Sequence, residues 1–382
     1  MKEDVLIIGS GSAGLQSARA IIENTDLEVV VVEEHKTIGL PEHCTGLVSL
    51  EGIREALRVP PSRMALNYFR GAHLYSPGGI TLTVEKKERV AAVINRPLYE
   101  HFLEDVISHG AKILLNTKGE ILGTKAKVGE AVLEPRYIID ATGIRGLLSR
   151  NPASREWMLP ALQYDIKAHL EDVDHVHVFL GSKFSRGLFA WAVPIGDNVC
   201  RIGVASKGNT LRRLEYLLRR LDYLTKGRVK PISRMKVLGG VVYTGGLRQQ
   251  ISGNVLLVGD SAGQTKPTTG GGLVYHSLAS RFLAEALKQE APPLYESKVR
   301  MTIGKEIQRQ LLLRKLLNVM DDEKLDELFL VLKRVNGEEF ISTNGDMDMQ
   351  TKILYGLGIE IFRKNPTFYL GLLPLLFNFF IT

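Results

Sequence analysis

The chain has 382 residues, 45% hydrophobic and 24% charged, an ordinary globular composition long enough for two or three domains with sizeable cores. Its two cysteines, Cys44 and Cys200, exclude a disulfide framework and a cysteine-rich zinc spacing, so a reducing cytoplasm is expected and no metal site. The net charge of +7 favours anionic partners such as phosphates or acidic lipid surfaces, but no basic-aromatic motif accompanies it, so nucleic acid is not an expected partner.

The first apolar run, Val5 to Ile8, already belongs to the fold, so no secretory signal is expected ahead of it. It enters Gly9-Ser10-Gly11-Ser12-Ala13-Gly14, a Gly-x-Gly-x-x-Gly turn, and the residues from Ala13 to Ile22 read as a helix. Strand, glycine turn and helix in that order place a pyrophosphate on a helix N-terminus. Gly9 permits the tight turn, Gly11 lets the backbone approach phosphates, and Gly14 lets the helix pack on the strand. A second strand, Glu28 to Val32, ends in Glu33, nineteen residues beyond Gly14, where an acid accepts ribose hydroxyls. These features predict a dinucleotide and leave NAD and FAD both open.

A loop from His35 to Ser49 contains Cys44 and Gly46, and loops of this length inside compact domains tend to be functional. A short helix, Glu51 to Arg58, precedes strands at Tyr68 to Tyr75 and Ile80 to Val84. Asn95-Arg96-Pro97 opens a helix over Leu98 to His109. After a strand at Ala111 to Leu115 and a small meander, Tyr137 to Asp140 runs into a second small-residue turn, Ala141-Thr142-Gly143. Residues 156 to 250 lean towards strands, interrupted by a helix over Thr210 to Leu224 with an apolar face of Leu214, Leu217, Leu218 and Leu221. Cys200 falls inside one of these strands as a core residue. A buried strand at Val255 to Asp260 is followed by a long helix, Leu273 to Lys288. Further helices are expected over Tyr295 to Met320, Asp322 to Arg334 and Asp348 to Phe362, and then an apolar segment, Phe368 to Ile381.

Gly259-Asp260-Ser261-Ala262-Gly263, with Pro267 and Gly270-Gly271-Gly272, resembles the second FAD fingerprint of the para-hydroxybenzoate hydroxylase superfamily. Asp260 at a strand end can accept sugar-chain hydroxyls, and bare backbone at Gly271, Gly272 and Leu273 can stabilise an anionic reduced flavin. Ile139-Asp140-Ala141-Thr142-Gly143 is similar to the middle motif of that superfamily, with Thr142 and Gly143 in place of the usual Asp-Gly, and Arg96 falls where an arginine often reaches the cofactor. The resemblance implies FAD, held by Gly9, Gly11, Ser12, Ala13, Gly14, Glu33, Cys44, Gly46, Arg96, Ala141, Gly143, Asp260, Gly271, Gly272 and Leu273. It implies a mixed α/β (α+β) fold: a Rossmann-like FAD-binding domain from 1–65, 88–155 and 245–292, an interleaved antiparallel β-sheet substrate domain from 66–87 and 156–244, and a C-terminal helical region from 293–382.

A narrower likeness lies in Ile38-Gly39-x-Pro41-x-x-Cys44-x-Gly46-Leu47-Val48-Ser49, in Lys266-Pro267-Thr268-Thr269-Gly270-Gly271-Gly272, and in Ile341-Ser342-x-x-Gly345-Asp346-x-Asp348. These resemble the cysteine loop, flavin loop and C-terminal region of geranylgeranyl reductases, which saturate isoprenoid double bonds using reduced FAD. The substrate motif of that family, Pro-x-x-Tyr-x-Trp-x-Phe-Pro, is matched here by Trp191 and Pro194, with Phe189 for its tyrosine, Val193 for its phenylalanine and Arg186 for its first proline. Saturating an alkene needs a hydride at one carbon and a proton at the other, and Cys44 is the candidate catalytic residue, positioning substrate or relaying a proton. The expected reductant is NAD(P)H or a ferredoxin, and the expected substrate a polyprenyl lipid. The rivals are an FAD-dependent monooxygenase acting on an aromatic or prenyl substrate, and a non-catalytic FAD-bound lipid carrier. The eighteen residues after Lys364 span about 27 Å if helical, short of a hydrocarbon core of about 30 Å. With Arg363 and Lys364 beside them they predict peripheral contact with the inner membrane face, the alternative being a helix buried against the domain as the wall of a lipid tunnel. A monomer is expected.

Overall fold

The computed structural model describes residues 4–368, and the glycine turn lies near the centre of a six-stranded sheet. Its first strand, β1 (Val5–Ile8), runs parallel to β2 (Val29–Val32) on one side and to Tyr137–Asp140 on the other. Ala111–Leu114 extends the sheet beyond β2. Val255–Leu257 and an antiparallel edge, Ile251–Ser252, extend it beyond Tyr137–Asp140. The strands β1, β2 and Tyr137–Asp140 are buried on both faces, which is why they read as unbroken Val/Ile/Leu runs. On one face Val5, Ile7, Val29 and Val31 pack against helix α1 (Ser12–Asn24) and the helices Arg96–Ile107 and Leu273–Lys288. On the other, Leu6, Ile8, Val30 and Val32 meet the meander over residues 119–133.

The second sheet has seven strands in the order Val229–Tyr243, Met158–Leu170, Val199–Ala205, Ala190–Gly196, His175–Phe179, Gly71–Tyr75 and Thr81–Glu85. Its neighbours are antiparallel except Gly71–Tyr75 with His175–Phe179. The helix Thr210–Leu224 buries Leu214, Leu217 and Leu221 against Ile166, Ile202 and Val204 on one face. Cys200 lies in this core, fully buried, and burial pushes its thiol well above its ordinary value. The opposite face carries Trp191 and Val193 towards Phe69, Val93 and Leu159. The stretch Tyr68 to Tyr75, expected as one strand, is two: Ala65–Phe69 pairs in a small third sheet and Gly71–Tyr75 in the large one. Arg70 is the crossing point, its N–H donating to Asp174 O while Phe69 O accepts from Val90 N. The loop expected over His35 to Ser49 ends as a strand, Leu47–Ser49, paired with Ala91–Val93.

The C-terminal region is helical but more divided than its periodicity suggests. A π-helical turn, Arg300–Gly304, separates Pro292–Val299 from Lys305–Val319. Asp322–Arg334 follows as expected. Gly337–Asn344 is an additional helix of eight residues, entered through Asn336 at φ +58°, too short for periodicity to register. The last described helix is Thr351–Lys364. This region closes over the Gly71–Glu85 hairpin through Leu82, Leu325, Phe329 and Leu332. Of the apolar segment Phe368 to Ile381, Phe368 is buried in that cluster. The remainder, on which the expected membrane contact rests, lies outside the described residues. Among the described residues no helix is long and apolar enough to cross a membrane.

Candidate active site

The crevice at the C-terminal ends of β1, β2, Tyr137–Asp140 and Val255–Leu257 is the topological switch point of the first sheet, where α/β sheets bind ligands. Two glycines there are fixed by the backbone around them. Gly9 has φ +101°, and a Cβ on it would stand 2.5 Å from Ala141 O; a Cβ on Gly14 would stand 2.0 Å from Gly9 O. Gly11 differs, with nothing within 4 Å of its Cβ position. It caps α1, whose first turn, including the buried Ser12 and Ala13, has no side-chain cap and no acid, so its leading N–H groups are left for a ligand or solvent.

Glu33 lies beside this turn, buried, with Oε2 accepting from Ser10 N (2.8 Å) and Ser10 Oγ (2.9 Å). Oε1 accepts from His35 N (3.0 Å) and meets His35 Nδ1 at 2.5 Å. Burial alone would raise this carboxyl, yet these bonds hold it below its ordinary value. Its lone pairs are thus filled from within the protein, and a ribose would enter by displacing the Ser10 hydroxyl or the His35 ring. Ala141 N donates to Ile8 O (3.0 Å), and Gly143 opens the short helix Ile144–Arg150. The Asp140 carboxylate is spent on Thr142 and, at 3.1 Å, on Arg150 Nε. Asp260 sits on a 3-10 turn after Val255–Leu257. His276 Nε2 is 3.3 Å from Asp260 Oδ1 but without hydrogen-bond geometry, and neither ring nitrogen of this buried histidine makes a hydrogen bond. The helix Leu273–Lys288 starts from Gly272 without a side-chain cap, next to Gly271.

The cysteine loop is pinned from the second sheet. The buried Arg201 binds Asp165 through Nε (2.7 Å) and Nη2 (2.9 Å), while its Nη1 reaches Glu42 Oε1 (2.8 Å), Cys44 O (3.2 Å) and Thr45 O (3.3 Å). Gln163 Nε2 donates to His43 O (2.9 Å) and Thr45 Oγ1 donates to Gln163 Oε1 (2.5 Å). Cys44 is half-buried, its Sγ accepting from Gly46 N at 3.3 Å. Arg96 pairs with Glu100 and leaves Nε buried without a partner. Burial opposes its charge, but Glu100 and then Cys44 hold its pKa above the ordinary value.

Three remote stretches meet beside this loop. Asp348 accepts from Ser49 Oγ (2.5 Å) on one oxygen and from Lys266 Nζ (2.8 Å) on the other, and its carbonyl accepts from Tyr275 OH (2.6 Å). His43 and Gly270 both abut the end of Val229–Tyr243, at Gly240 and Val242. Trp191 donates from Nε1 to Gln163 Oε1 (3.3 Å), stands edge-on to Phe189 at 5.9 Å, and shares an apolar cluster with Val242 and Met347. Strand alternation turns Pro194 to the other face of the sheet, the side of Ala190 and Ala192 beneath Thr210–Leu224, so it is not brought together with Trp191.

A cavity of about 620 Å³ lies between the 180–188 loop and the C-terminal helices, bounded by Leu180, Arg186, Leu188, Arg314, Met320 and Leu325. Arg314 connects it to the flavin loop by donating to Pro267 O (3.1 Å) and Thr268 O, and burial pushes its pKa down to about 10. Gln163, Arg201, His276 and Arg314 were not identified from the sequence. Arg201 carries a signal, a cation inside the apolar strand Val199–Ala205, where burial demands a carboxylate partner; the others carry none that is local.

The chain is 30% identical over 390 residues to an uncharacterized protein of Methanocaldococcus jannaschii, covering 94% of this chain and 98% of that one. It is 28% identical over 364 residues to the digeranylgeranylglycerophospholipid reductase of Methanothrix thermoacetophila, covering 86% and 90%. The chain belongs to the geranylgeranyl reductase family. No family model matches it. Among solved structures, a geranylgeranyl bacteriochlorophyll reductase-like protein of Thermoplasma acidophilum superposes with a TM-score of 0.79 at 20% identity, over 97% of this chain and 98% of that one. A probable FAD-dependent monooxygenase of Pseudomonas aeruginosa superposes at 0.62 and 20% identity, over 86% and 100%. These two share the fold of this chain, a Rossmann-like domain interleaved with an antiparallel sheet and followed by helices.

Proposed function

We propose that this geranylgeranyl reductase-family chain binds FAD in the crevice described above and saturates carbon-carbon double bonds of a geranylgeranyl or other polyprenyl lipid. The observation that carries the reading is the meeting of Ser49, Lys266 and Asp348, which brings the cysteine loop and the Lys266–Gly272 loop together at the Trp191 cluster. The crevice fits the cofactor in three respects: open space over Gly11, an uncapped helix start at each end of the proposed site, and buried nitrogens on Arg96 and His276 that make no hydrogen bond. Gly11, Ser12 and Ala13 would hold the pyrophosphate, Glu33 the ribose, Asp260 the ribitol chain, and Gly271 to Leu273 the flavin end.

Bound and reduced by NAD(P)H or a ferredoxin, FAD supplies the hydride. The chain supplies the rest. Arg201 and Gln163 hold the loop that carries the Cys44 thiol, which would deliver the proton to the second alkene carbon. The aromatic faces of Phe189 and Trp191 would exclude water from an apolar chain.

The test is anaerobic incubation of the dithionite-reduced, FAD-loaded protein with digeranylgeranylglyceryl phospholipid, read by mass spectrometry. The reading expects a gain of two hydrogens per double bond, lowered at least tenfold in Cys44→Ala. Unchanged lipid recovered with the protein would point to a carrier, and an added oxygen on re-aeration to a monooxygenase; either outcome refutes the reductase.

A further inference from the structure

We infer that His73, Asp172 and His175 form a site for a divalent transition-metal ion of the zinc class at the outer edge of the seven-stranded sheet. The strands Gly71–Tyr75 and His175–Phe179 are parallel neighbours in the register His73 to His177, so alternation aligns His73, His175 and His177 on one face. The loop after Met158–Leu170 brings Asp172 to the same place. His73 Nε2 lies 2.9 Å from Asp172 Oδ2, and His175 Nδ1 lies 3.0 Å from the same carboxylate. One donor atom from each of the three residues falls within 4.8 Å of the others. Both histidines are buried, and their rings stack at 4.6 Å.

The outer ring nitrogens point to a metal rather than to a chance cluster. His73 Nδ1 is 2.9 Å from Thr83 Oγ1, and His175 Nε2 is 3.1 Å from Glu85 Oε2. Histidine ligands commonly give their second N–H to a carboxylate or other oxygen, which fixes the tautomer and aims the free lone pair at the ion. His175 thus has a carboxylate oxygen at each ring nitrogen, Asp172 at Nδ1 and Glu85 at Nε2. Two imidazoles and a carboxylate suit zinc, with solvent in the fourth position. Alongside, His177 is fully buried and leaves Nε2 without a partner, its ring 5.4 Å from that of His73. Arg70, 3.6 Å from Glu85, adds positive charge nearby, set against the two carboxylates. An ion here would clip the 171–174 loop to the edge strands and is independent of the cofactor crevice.

The full-length, tag-free holoprotein is stripped with EDTA, dialysed, and titrated with Zn²⁺ against a chromophoric chelator at neutral pH, with elemental analysis of the retained metal. One zinc per chain is expected, accompanied by a rise in melting temperature. Asp172→Asn and His175→Gln should abolish both, and Glu85→Gln should weaken binding by about 10–100-fold. Circular dichroism checks that each variant is folded. Should a variant fail to fold, the cobalt-loaded wild type reads the ligands directly. A tetrahedral d–d spectrum without a thiolate charge-transfer band supports the site, and a thiolate band places the metal at Cys44 and overturns it. Failure of the wild type to retain zinc also overturns it and makes the cluster an ion pair with a doubly protonated His175, as does zinc binding unchanged in both ligand variants.

Discussion

Within the Gly-x-Gly-x-x-Gly turn, residues of one type do two different jobs. Gly14 is required by the protein itself, since a methyl group there would stand 2.0 Å from Gly9 O, a backbone atom that cannot step aside. Gly14→Ala should therefore cost roughly 3 kcal/mol of stability through overpacking between α1 and β1. Gly11 has an ordinary φ of −66° and open space beside it, so Gly11→Ala should stay within about 1 kcal/mol of wild type. On the proposed reading it should still lose FAD, because the methyl group occupies the approach to the pyrophosphate. Urea denaturation of the apoproteins and FAD titration of both variants separate the two roles; equal FAD affinity in Gly11→Ala and wild type would count against the crevice. The sequence makes the turn visible because its spacing is local. It does not show that Glu33 is already engaged by Ser10 and His35, since that depends on side-chain geometry. Nor does spacing reveal His73 beside His175, which lie 102 positions apart and meet only when their strands pair.

At the scale of elements, long amphipathic or wholly apolar segments were legible: Thr210–Leu224 and Leu273–Lys288 occupy the stretches their patterns predict. The cysteine loop was legible as a motif but not as a tethered object, because its anchors come from strands more than a hundred residues away. Arg201 is the principal anchor, sharing its guanidinium between Asp165 and Glu42 with little exposure to solvent. Arg201→Met would strand the buried Asp165 carboxylate and leave Glu42 with Lys236 alone, and should cost about 3–5 kcal/mol. Glu42 gives the loop an acid limit. Burial alone would raise its carboxyl, but Lys236 and Arg201 hold it below the ordinary value. A depressed folded-state pKa means that the stabilisation is fully present above the unfolded value of about 4.3 and is lost as pH falls through the lower folded value. Urea midpoints measured from pH 6 down to pH 3 should therefore show wild type falling towards Glu42→Gln as acidity increases, with the largest gap near pH 6. A gap independent of pH would show that the Glu42 charge contributes nothing.

For the whole molecule, two of the polar attachments of the C-terminal helices can be set against one another. One is the Lys266–Asp348 pair beside the proposed flavin loop. The other is the Gly71–Glu85 hairpin, where Asp326 Oδ1 accepts from Ser76 Oγ (2.5 Å) and Gly78 N (2.8 Å), and Glu338 accepts from Thr83 N (2.7 Å). The helices Asp322–Arg334 and Gly337–Asn344 have their apolar contact in the cluster around Leu82, Leu325, Phe329 and Leu332, whereas Val299, Ile303 and Ile307 of the preceding helices belong to the core of the first sheet. Helices with a cluster of their own should open as a unit without unfolding the sheets. Asp326→Ala removes two hydrogen bonds to a carboxylate, about 2 kcal/mol, which corresponds to about 30-fold faster exchange from the opened state. Native-state hydrogen exchange should show that acceleration in Asp322–Arg334 and Gly337–Asn344, while Met158–Leu170 and β1 keep wild-type protection. Equal acceleration in the sheets would mean that the C-terminal helices belong to the same cooperative unit as the rest of the fold. Lys266→Met should have the opposite reach. It leaves Asp348 with Ser49 as its remaining side-chain donor, so it should loosen Thr351–Lys364 and the Lys266–Gly272 loop together while leaving the hairpin latch as protected as in wild type.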